Sequence, residues 1–481
     1  MAKEKDMGIT VKKEDDLPEW YEQVCLRAEL AEFSKVKGCM IIRPNGYAIW
    51  SAIQKYFDEN INKPTGVRNS YFPLFIPESF FRKEAEHAKG FTPEVAWLDK
   101  DVTGEGERLA IRPTSETIMY DSFSRWIRSY RDLPLKINQW CNVVRWETEA
   151  TKLFLRSREF LWQEGHCVYE TEEECRKEAI NYINLYAKLC EELLALPVLV
   201  GQKTEKEKFA GARTTYTIEA FMPDGKALQC GTSHELSQGF AKSFGIKFLG
   251  KDEKTHMPWQ NSWGLSTRLI GAIVMAHSDN KGLVLPPRVA EHKLVIIPII
   301  IGKDNAKILE KAKELKAQLA GFNPLLDDRD EYTPGWKYNE WEMKGIPLRI
   351  EIGPKDIAKE QVVLVRRDTG EKDFVKEKEL NDKITKALDA MHDSLLKKAR
   401  KSLKDMIVFA KNWGDLVKGI RERKLVKAAF CGETECEDWI KDKSGGASSR
   451  CIPFDEKVTE EDKCVYCKKP AKYIIYFSKS Y

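Results

Sequence analysis

The stretch that decides the fold reads Arg145-Trp146-Glu147 and then Arg156-Ser157-Arg158-Glu159-Phe160-Leu161-Trp162-Gln163-Glu164-Gly165-His166. Read as strands, alternation puts Arg145 and Glu147 on one face. It likewise puts Arg156, Arg158, Phe160, Trp162, Glu164 and His166 on one face of a second strand. A solvent face can carry the charges alone, and a core face the aromatics alone. A face carrying both suits a pocket that binds an anion beside a planar ring, because a guanidinium forks onto the anion while an aromatic covers the ring. An exposed hairpin laced with cross-strand ion pairs accounts for the same residues, and this stretch by itself leaves both readings open.

Working outward, Arg112-Pro113-Thr114-Ser115-Glu116 precedes the hairpin, and Gln229-Cys230-Gly231-Thr232-Ser233-His234-Glu235 follows it. Gly264-Leu265-Ser266-Thr267-Arg268 then heads an apolar, helix-like run over residues 269–276. In this order the segments resemble the class II aminoacyl-tRNA synthetases. More closely, and over essentially the whole chain, they resemble the prolyl-tRNA synthetase family (class IIa) of archaeal and eukaryotic type. Residues 50–73 resemble motif 1, the long helix and strand of a dimer interface, with Pro73 as its proline. Residues 145–166 resemble motif 2, and residues 264–276 motif 3. A lone Arg-x-Glu is common by chance, whereas the ordered set is specific. His234-Glu235 does not open a zinc-protease His-Glu-x-x-His, because Gln238 stands where the second histidine is needed.

The resemblance implies an ATP-dependent ligase. It activates L-proline to prolyl-adenylate plus pyrophosphate, then transfers proline to the 3′ end of tRNA(Pro). A carboxylate nucleophile needs no general base, so the implied work is positioning and charge neutralisation. Carried over residue by residue, Arg145 and Arg268 are the catalytic pair. Arg145 bridges the proline carboxylate and the α-phosphate, and Arg268 and Arg156 hold the remaining phosphates with Mg²⁺. Glu147 falls on the adenine side and Phe160 stacks on the base. Gln229 and Thr232 hold nucleotide, ribose or metal, and Ser266 completes the ATP set. For proline, Glu116 and Thr114 offer a carboxylate and a hydroxyl to the secondary ammonium. Trp162, His166 and Phe209 enclose the ring, with His234 at its edge. Taken singly, either histidine reads as a structural one; the surrounding motifs place both in the site.

In the second half, Asp327-Asp328-Arg329, Gly335-Trp336-Lys337-Tyr338-Asn339-Glu340, Gly345-Ile346-Pro347 and Gly353-Pro354 resemble the anticodon-binding domain shared by class IIa synthetases. Unstacked anticodon bases are read by stacking aromatics and by donors and acceptors along base edges, so Arg329, Trp336, Lys337 and Glu340 are the expected readers. Each reads equally as a surface residue. In the tail, Cys431-x4-Cys436 and Cys464-x2-Cys467 fit a tetrahedral four-thiolate Zn²⁺ site, since no histidine lies beyond His392. Four protein ligands leave no open position, so the expected role is structural. The ending, Phe477 to Tyr481, resembles the family's ending, whose tyrosine packs near the active site.

These assignments occupy 481 residues, enough for about three domains. The expected division is a catalytic domain over 1–287, an anticodon-binding domain over 288–385 and a zinc-binding domain over 386–481. Pro286 and Pro287 mark the first junction, and the strand–helix–strand rhythm after it reads as a small α/β unit. The expected fold class is α/β (α+β): an antiparallel-sheet class II core, an α/β anticodon domain and a C-terminal α+β zinc domain. Lys+Arg 79 against Asp+Glu 75 leaves +4, too balanced for a polybasic binder. Residues 397–404 (KKARKSLK) nonetheless form a basic run that suits a phosphate backbone or plain solvent. The first sixteen residues lack an apolar core, and the greasiest run, 294–301, is short and holds Pro298. Neither a signal peptide nor a membrane span is expected. Twelve cysteines without an export signal predict a reducing, cytoplasmic setting. Motif 1 implies a homodimer. Between Glu147 and Gly264 there is no room for an added editing domain. Two rivals remain: a class II synthetase for another amino acid, and an inert synthetase-like tRNA-binding protein. The second is expected to have lost Arg145, Arg156 or Arg268, and all three are present.

Overall fold

A computed structural model describes residues 8–85, 95–99, 106–146, 151–300 and 305–481. The helix Leu17–Arg27 starts where the sequence directs. The Asp16 side chain accepts from the Glu19 N–H at 3.1 Å, and Pro18 occupies the first turn, where its missing N–H is not needed. The helix Pro44–Phe57 buries Ile49, Trp50, Ile53 and Phe57. Asn60 and Pro64 read as its closure, but the coil runs on through a π turn, Asp58–Asn62, and a last turn, Lys63–Thr65. It stops at Gly66 with φ 74°. Pro64 opens that last turn and so interrupts nothing. Residues 71–76 read as a strand-like run leading into Pro77, of which only Phe75 and Ile76 enter the strand Phe75–Pro77.

The core sheet is antiparallel from Leu199–Gln202 through Thr214–Phe221, Lys226–Ser237, Trp259–Ser266 and Glu159–Tyr169 to Leu135–Val144. Arg68–Asn69 joins its edge in parallel. Helices Glu172–Glu192 and Arg268–His277 bury their apolar stripes in the same core as Trp50, Phe57 and Trp263. Beyond Leu199–Gln202 the sheet does not end. Ser448–Pro453 from the tail pairs with it, Ile452 opposite Gln202 and Pro453 opposite Gly201. Tyr473–Ser480, Leu425–Phe430 and Ile407–Ala410 follow, giving one eleven-stranded sheet.

The middle region forms its own five-stranded sheet, ordered Leu325–Leu326, Leu294–Pro298, Leu348–Ile352, Gln361–Arg366, Lys372–Lys376. The first three run parallel and the last two antiparallel. Every residue of Leu294–Pro298 is buried, as an uninterrupted apolar run in a parallel sheet should be. Arg367 fastens this unit to the core with two bonds to Asp279, at 2.7 and 2.8 Å. The 27-residue helix Leu380–Met406 then runs unbroken into the tail region. Among the described residues no helix is long and apolar enough to cross a membrane.

Candidate active site

Strand register assembles the site. Trp162 lies opposite Ser266, Glu164 opposite Gly264 and His166 opposite Ser262; on the next ladder Thr232 lies opposite Gly264 and His234 opposite Ser262. Directly opposed residues share a face, so one face of three strands gathers these side chains. With Thr114, Glu116 and Phe209 they line a cavity of about 300 Å³.

Glu164 is the cavity's buried anchor. It accepts from Ser115 Oγ at 2.5 Å and Gln139 Nε2 at 3.0 Å, and from His166 Nε2 at 3.1 Å. Burial favours its neutral form, but the bond to His166, that ring's charge and the Ser115 and Gln139 donors outweigh it and hold its pKa below the usual carboxylate value. His166 shifts the other way. Burial lowers its pKa, and the Glu164 bond with the charges of Glu116 and Glu164 more than reverses this. Its Nδ1 lies 3.1 Å from the Tyr120 hydroxyl. His234 is pushed down to about 3 by burial and by the positive His166 and Arg145. It stands neutral between the hydroxyls of Thr215 and Thr232, each at 3.0 Å, with the Phe209 ring centred 4.8 Å away. Ligand atoms of Glu116, Glu164 and His166 lie within 4.8 Å of one another. Both nitrogens of His166 are engaged, so the trio is an ion-pair cluster and not a metal cage.

Arg145, Phe160, Ser266 and Arg268 also line an adjoining chamber of about 240 Å³, shared with Arg156 and Tyr481. Arg145 stands just past the strand Leu135–Val144, its guanidinium 5.5 Å from the ring centres of both Phe160 and Trp162. Arg268 opens its helix and donates to the carbonyls of Leu155 at 3.2 Å and Gln229 at 3.1 Å. Alternation assigned Arg156 and Arg158 to the second strand, but that strand begins at Glu159. A turn closed by the Lys152–Arg156 bridge takes up the residues before it. Arg156 still reaches the second chamber, whereas Arg158 turns away to the Lys37 carbonyl at 3.0 Å and the Trp146 ring. Glu147 lies outside the described residues. Tyr481 donates its hydroxyl to Asp224 at 2.8 Å, and its ring lies within 5.6 Å of the ammonium groups of Lys152 and Lys226.

The sequence reading set Glu164 on the pocket face without giving it a role, and it missed two further supports. Glu164 was detectable, since it shares the alternation of Trp162 and His166. Gln139 carried no signal. Arg112 is 1% exposed and ties Phe72 to Asn142 through their carbonyls, each at 2.8 Å, which fixes the loop that delivers Thr114 and Glu116.

Three family models match in sequence: the tRNA synthetase class II core domain (G, H, P, S and T) over residues 97–277, an anticodon binding domain over 293–387, and a prolyl-tRNA synthetase C-terminal domain over 413–481. Proline–tRNA ligase 2 of Bacillus cereus is 50% identical over 483 residues, covering 100% of both chains. Proline–tRNA ligases of Clostridium botulinum and Clostridium novyi are likewise 50% identical, covering all of this chain and 100% and 99% of theirs. This chain belongs to the proline–tRNA ligase family.

Of the four expected base readers, Trp336 stacks on Tyr332 with centroids 3.7 Å apart, and Arg329 lies 4.9 and 5.3 Å from the two rings. Arg329 also binds Asp327 at 2.6 and 2.8 Å and Glu340 at 2.5 Å. Those partners hold its pKa above the ordinary arginine value. Lys337 corrects the expectation. It is 2% exposed, and its ammonium donates to the Asp327 carbonyl at 3.1 Å, so it props the helix Pro334–Met343 from inside and offers nothing to a base.

In the ligase's tail, the Sγ atoms of Cys431, Cys436, Cys464 and Cys467 all lie within 4.8 Å of one another, two pairs at 3.6 Å. Tetrahedral Zn–S bonds of about 2.3 Å require thiolates roughly 3.8 Å apart, so the donor set fits zinc. Cys451 stands apart, buried on the strand Ser448–Pro453, and burial pushes its thiol up to about 12.

Proposed function

We propose that this chain activates L-proline with ATP to prolyl-adenylate and pyrophosphate, then transfers the prolyl group to the 3′ end of tRNA(Pro). The observation that carries this reading is the meeting of two chambers at Arg145 and Arg268. One holds a carboxylate, a hydroxyl and aromatic rings; the other adds Arg156. Glu116 and Thr114 take the two N–H groups of the secondary ammonium. Trp162, His166 and Phe209 enclose the ring, and His234, kept neutral, borders it. A proline carboxylate oxygen attacks the α-phosphorus; that P–O bond forms as the bond to the bridging oxygen breaks, and pyrophosphate leaves with the electron pair. Arg145 spans carboxylate and α-phosphate, and Arg268 and Arg156 hold the other phosphates, neutralising charge away from bulk water. Phe160 stacks on adenine, with Glu147 on the base side. Gln229, Thr232 and Ser266 hold the ribose and phosphate edges. Mg²⁺ arrives with ATP as part of that substrate. A ribose hydroxyl of the terminal tRNA nucleotide then attacks the prolyl carbonyl carbon, and AMP leaves.

The remaining roles follow the division 1–287, 288–385 and 386–481. Trp336 and Arg329 read the anticodon, and Glu340, buried and bonded to both Arg329 and Lys344, holds Arg329 for that role. Cys431, Cys436, Cys464 and Cys467 hold a structural Zn²⁺ that closes the tail fold and has no open position for substrate. The chain works as a homodimer. Exposed Phe33, Val36, Ile41 and Tyr47, on and beside the paired strands Ala31–Phe33 and Met40–Ile42 and the start of the helix Pro44–Phe57, supply an apolar face that suits it. Twelve unpaired cysteines support a reducing, cytoplasmic setting. ATP–pyrophosphate exchange measured with each amino acid should respond to proline, and Arg268→Ala should cut it on the order of 10²–10³-fold while tRNA binding persists. No exchange with proline overturns the reading.

A further inference from the structure

The zinc-binding region touches the substrate cavity through one short segment. Residues 203–209 follow the strand Leu199–Gln202 and form no ladder of their own. Two of them, Glu207 and Phe209, line the cavity. Much of what holds the segment comes from the tail. Thr204, 4% exposed, donates its hydroxyl to Glu437 Oε1 at 3.2 Å and lies 3.3 Å from Ser449 Oγ. The same hydroxyl accepts from the Glu207 N–H at 3.3 Å. Ser449 also donates to Glu437, and Lys206 pairs with Asp438. At the segment's start, Lys203 reaches Glu219 at 2.5 Å, and Arg450 reaches the same carboxylate at 2.9 Å. The backbones meet tightly there: a Cβ on Gly201 would lie 2.1 Å from the Ile452 carbonyl oxygen.

We infer that Glu437 is a positioning residue for proline binding, acting through Thr204 to set the segment 203–209, and with it Phe209, against the ring pocket. Glu437 touches no substrate. It follows Cys436 on the helix Thr434–Lys443, so the same turn that carries Glu437 is tied into the four-thiolate cluster. Without the carboxylate, the Thr204 hydroxyl keeps only the Ser449 hydroxyl, at 3.3 Å, and turning toward it weakens its hold on the Glu207 N–H. The segment must then be ordered by the ligand itself, and that cost falls on affinity and not on the chemical step. The arginines of the second chamber sit on other elements, so ATP binding is spared.

The inference rests on the reading of Phe209 as a wall of the proline pocket, and its test separates the two. Glu437→Ala, Glu437→Gln, Thr204→Val and Lys206→Met are compared with wild type in ATP–pyrophosphate exchange, and by hydrogen exchange on the amides of residues 204–209. Glu437→Ala and Thr204→Val should raise the proline KM roughly tenfold, the scale of one buried hydrogen bond, with kcat and the ATP KM within about twofold. Glu437→Gln keeps an acceptor oxygen and should recover most of the loss. The affected amides should exchange faster in step with KM. Lys206→Met breaks only the outer pair with Asp438, so it leaves the seam folded and should give a smaller shift of the same kind. Faster amide exchange with an unmoved proline KM assigns the segment no part in proline binding. Unmoved amide exchange in the folded variants overturns the brace itself, whatever amino acid the wild type activates.

Discussion

His166 and His234 share one cavity, yet their pKa values move in opposite directions: the Glu164 bond and the charges of Glu116 and Glu164 raise the first, and burial above all lowers the second. The folded pKa of His166 lies above its unfolded value, so its charged form stabilises the fold fully below the ordinary histidine range. That contribution is lost as pH rises through the raised value. Glu164 lies below its unfolded value, so its contribution is complete above the ordinary glutamate range and lost as pH falls through the lowered one. The pair therefore works between those two limits. Urea unfolding of wild type and His166→Gln, followed from about pH 6 to about pH 9, should show the gap between them narrowing as pH rises. A gap that widens would rule out the ion pair.

The strand Glu159–Tyr169 shows what an element's sequence encodes and what it leaves out. Alternation through Phe160, Trp162, Glu164 and His166 made the pocket face legible, because side-chain direction in a strand is a local property. Arg156 and Arg158 extended the same pattern, yet both lie before the strand, Arg156 closing the turn and Arg158 just beyond it, because where a ladder stops depends on the partner strand. Lys337 was misread for a similar reason: charge is visible in sequence, but the Asp327 carbonyl that buries it is not. Gly165 carries a packing demand that no pattern shows. A Cβ there would fall 2.2 Å from the Trp263 ring, which is itself stacked on Tyr182 at 4.1 Å and has nowhere to go. Gly165→Ala should cost about 1–3 kcal/mol in urea unfolding, and an unchanged midpoint would mean the ring shifts.

At the scale of the molecule, the tail is the least legible feature. Cysteine spacing announced the four-thiolate cluster, since those residues sit in two short segments. Nothing local announced that the surrounding strands extend the catalytic sheet, because pairing between residues more than two hundred positions apart leaves no period to read. The continuity has a measurable outcome. Cys464→Ser should abolish one zinc per chain by metal analysis and also lower the thermal midpoint of the whole chain, given the shared ladder between Ser448–Pro453 and Leu199–Gln202. Metal loss with an untouched melt would show the two regions to be independent.

The pairing of Lys226 with Lys479 and Ala227 with Ser480 also sets an order of events. A chain emerges from the ribosome N-terminus first, and its domains fold as they appear. Here the strand beside Gln229 waits for a segment made some 250 residues later, as the Tyr481–Asp224 bond, spanning 257 positions, attests. All three motif arginines are in place long before that. The second chamber, walled in part by Tyr481, is finished only when the tail arrives. Until it does, Arg145, Arg156 and Arg268 face a chamber that still lacks its Tyr481 wall.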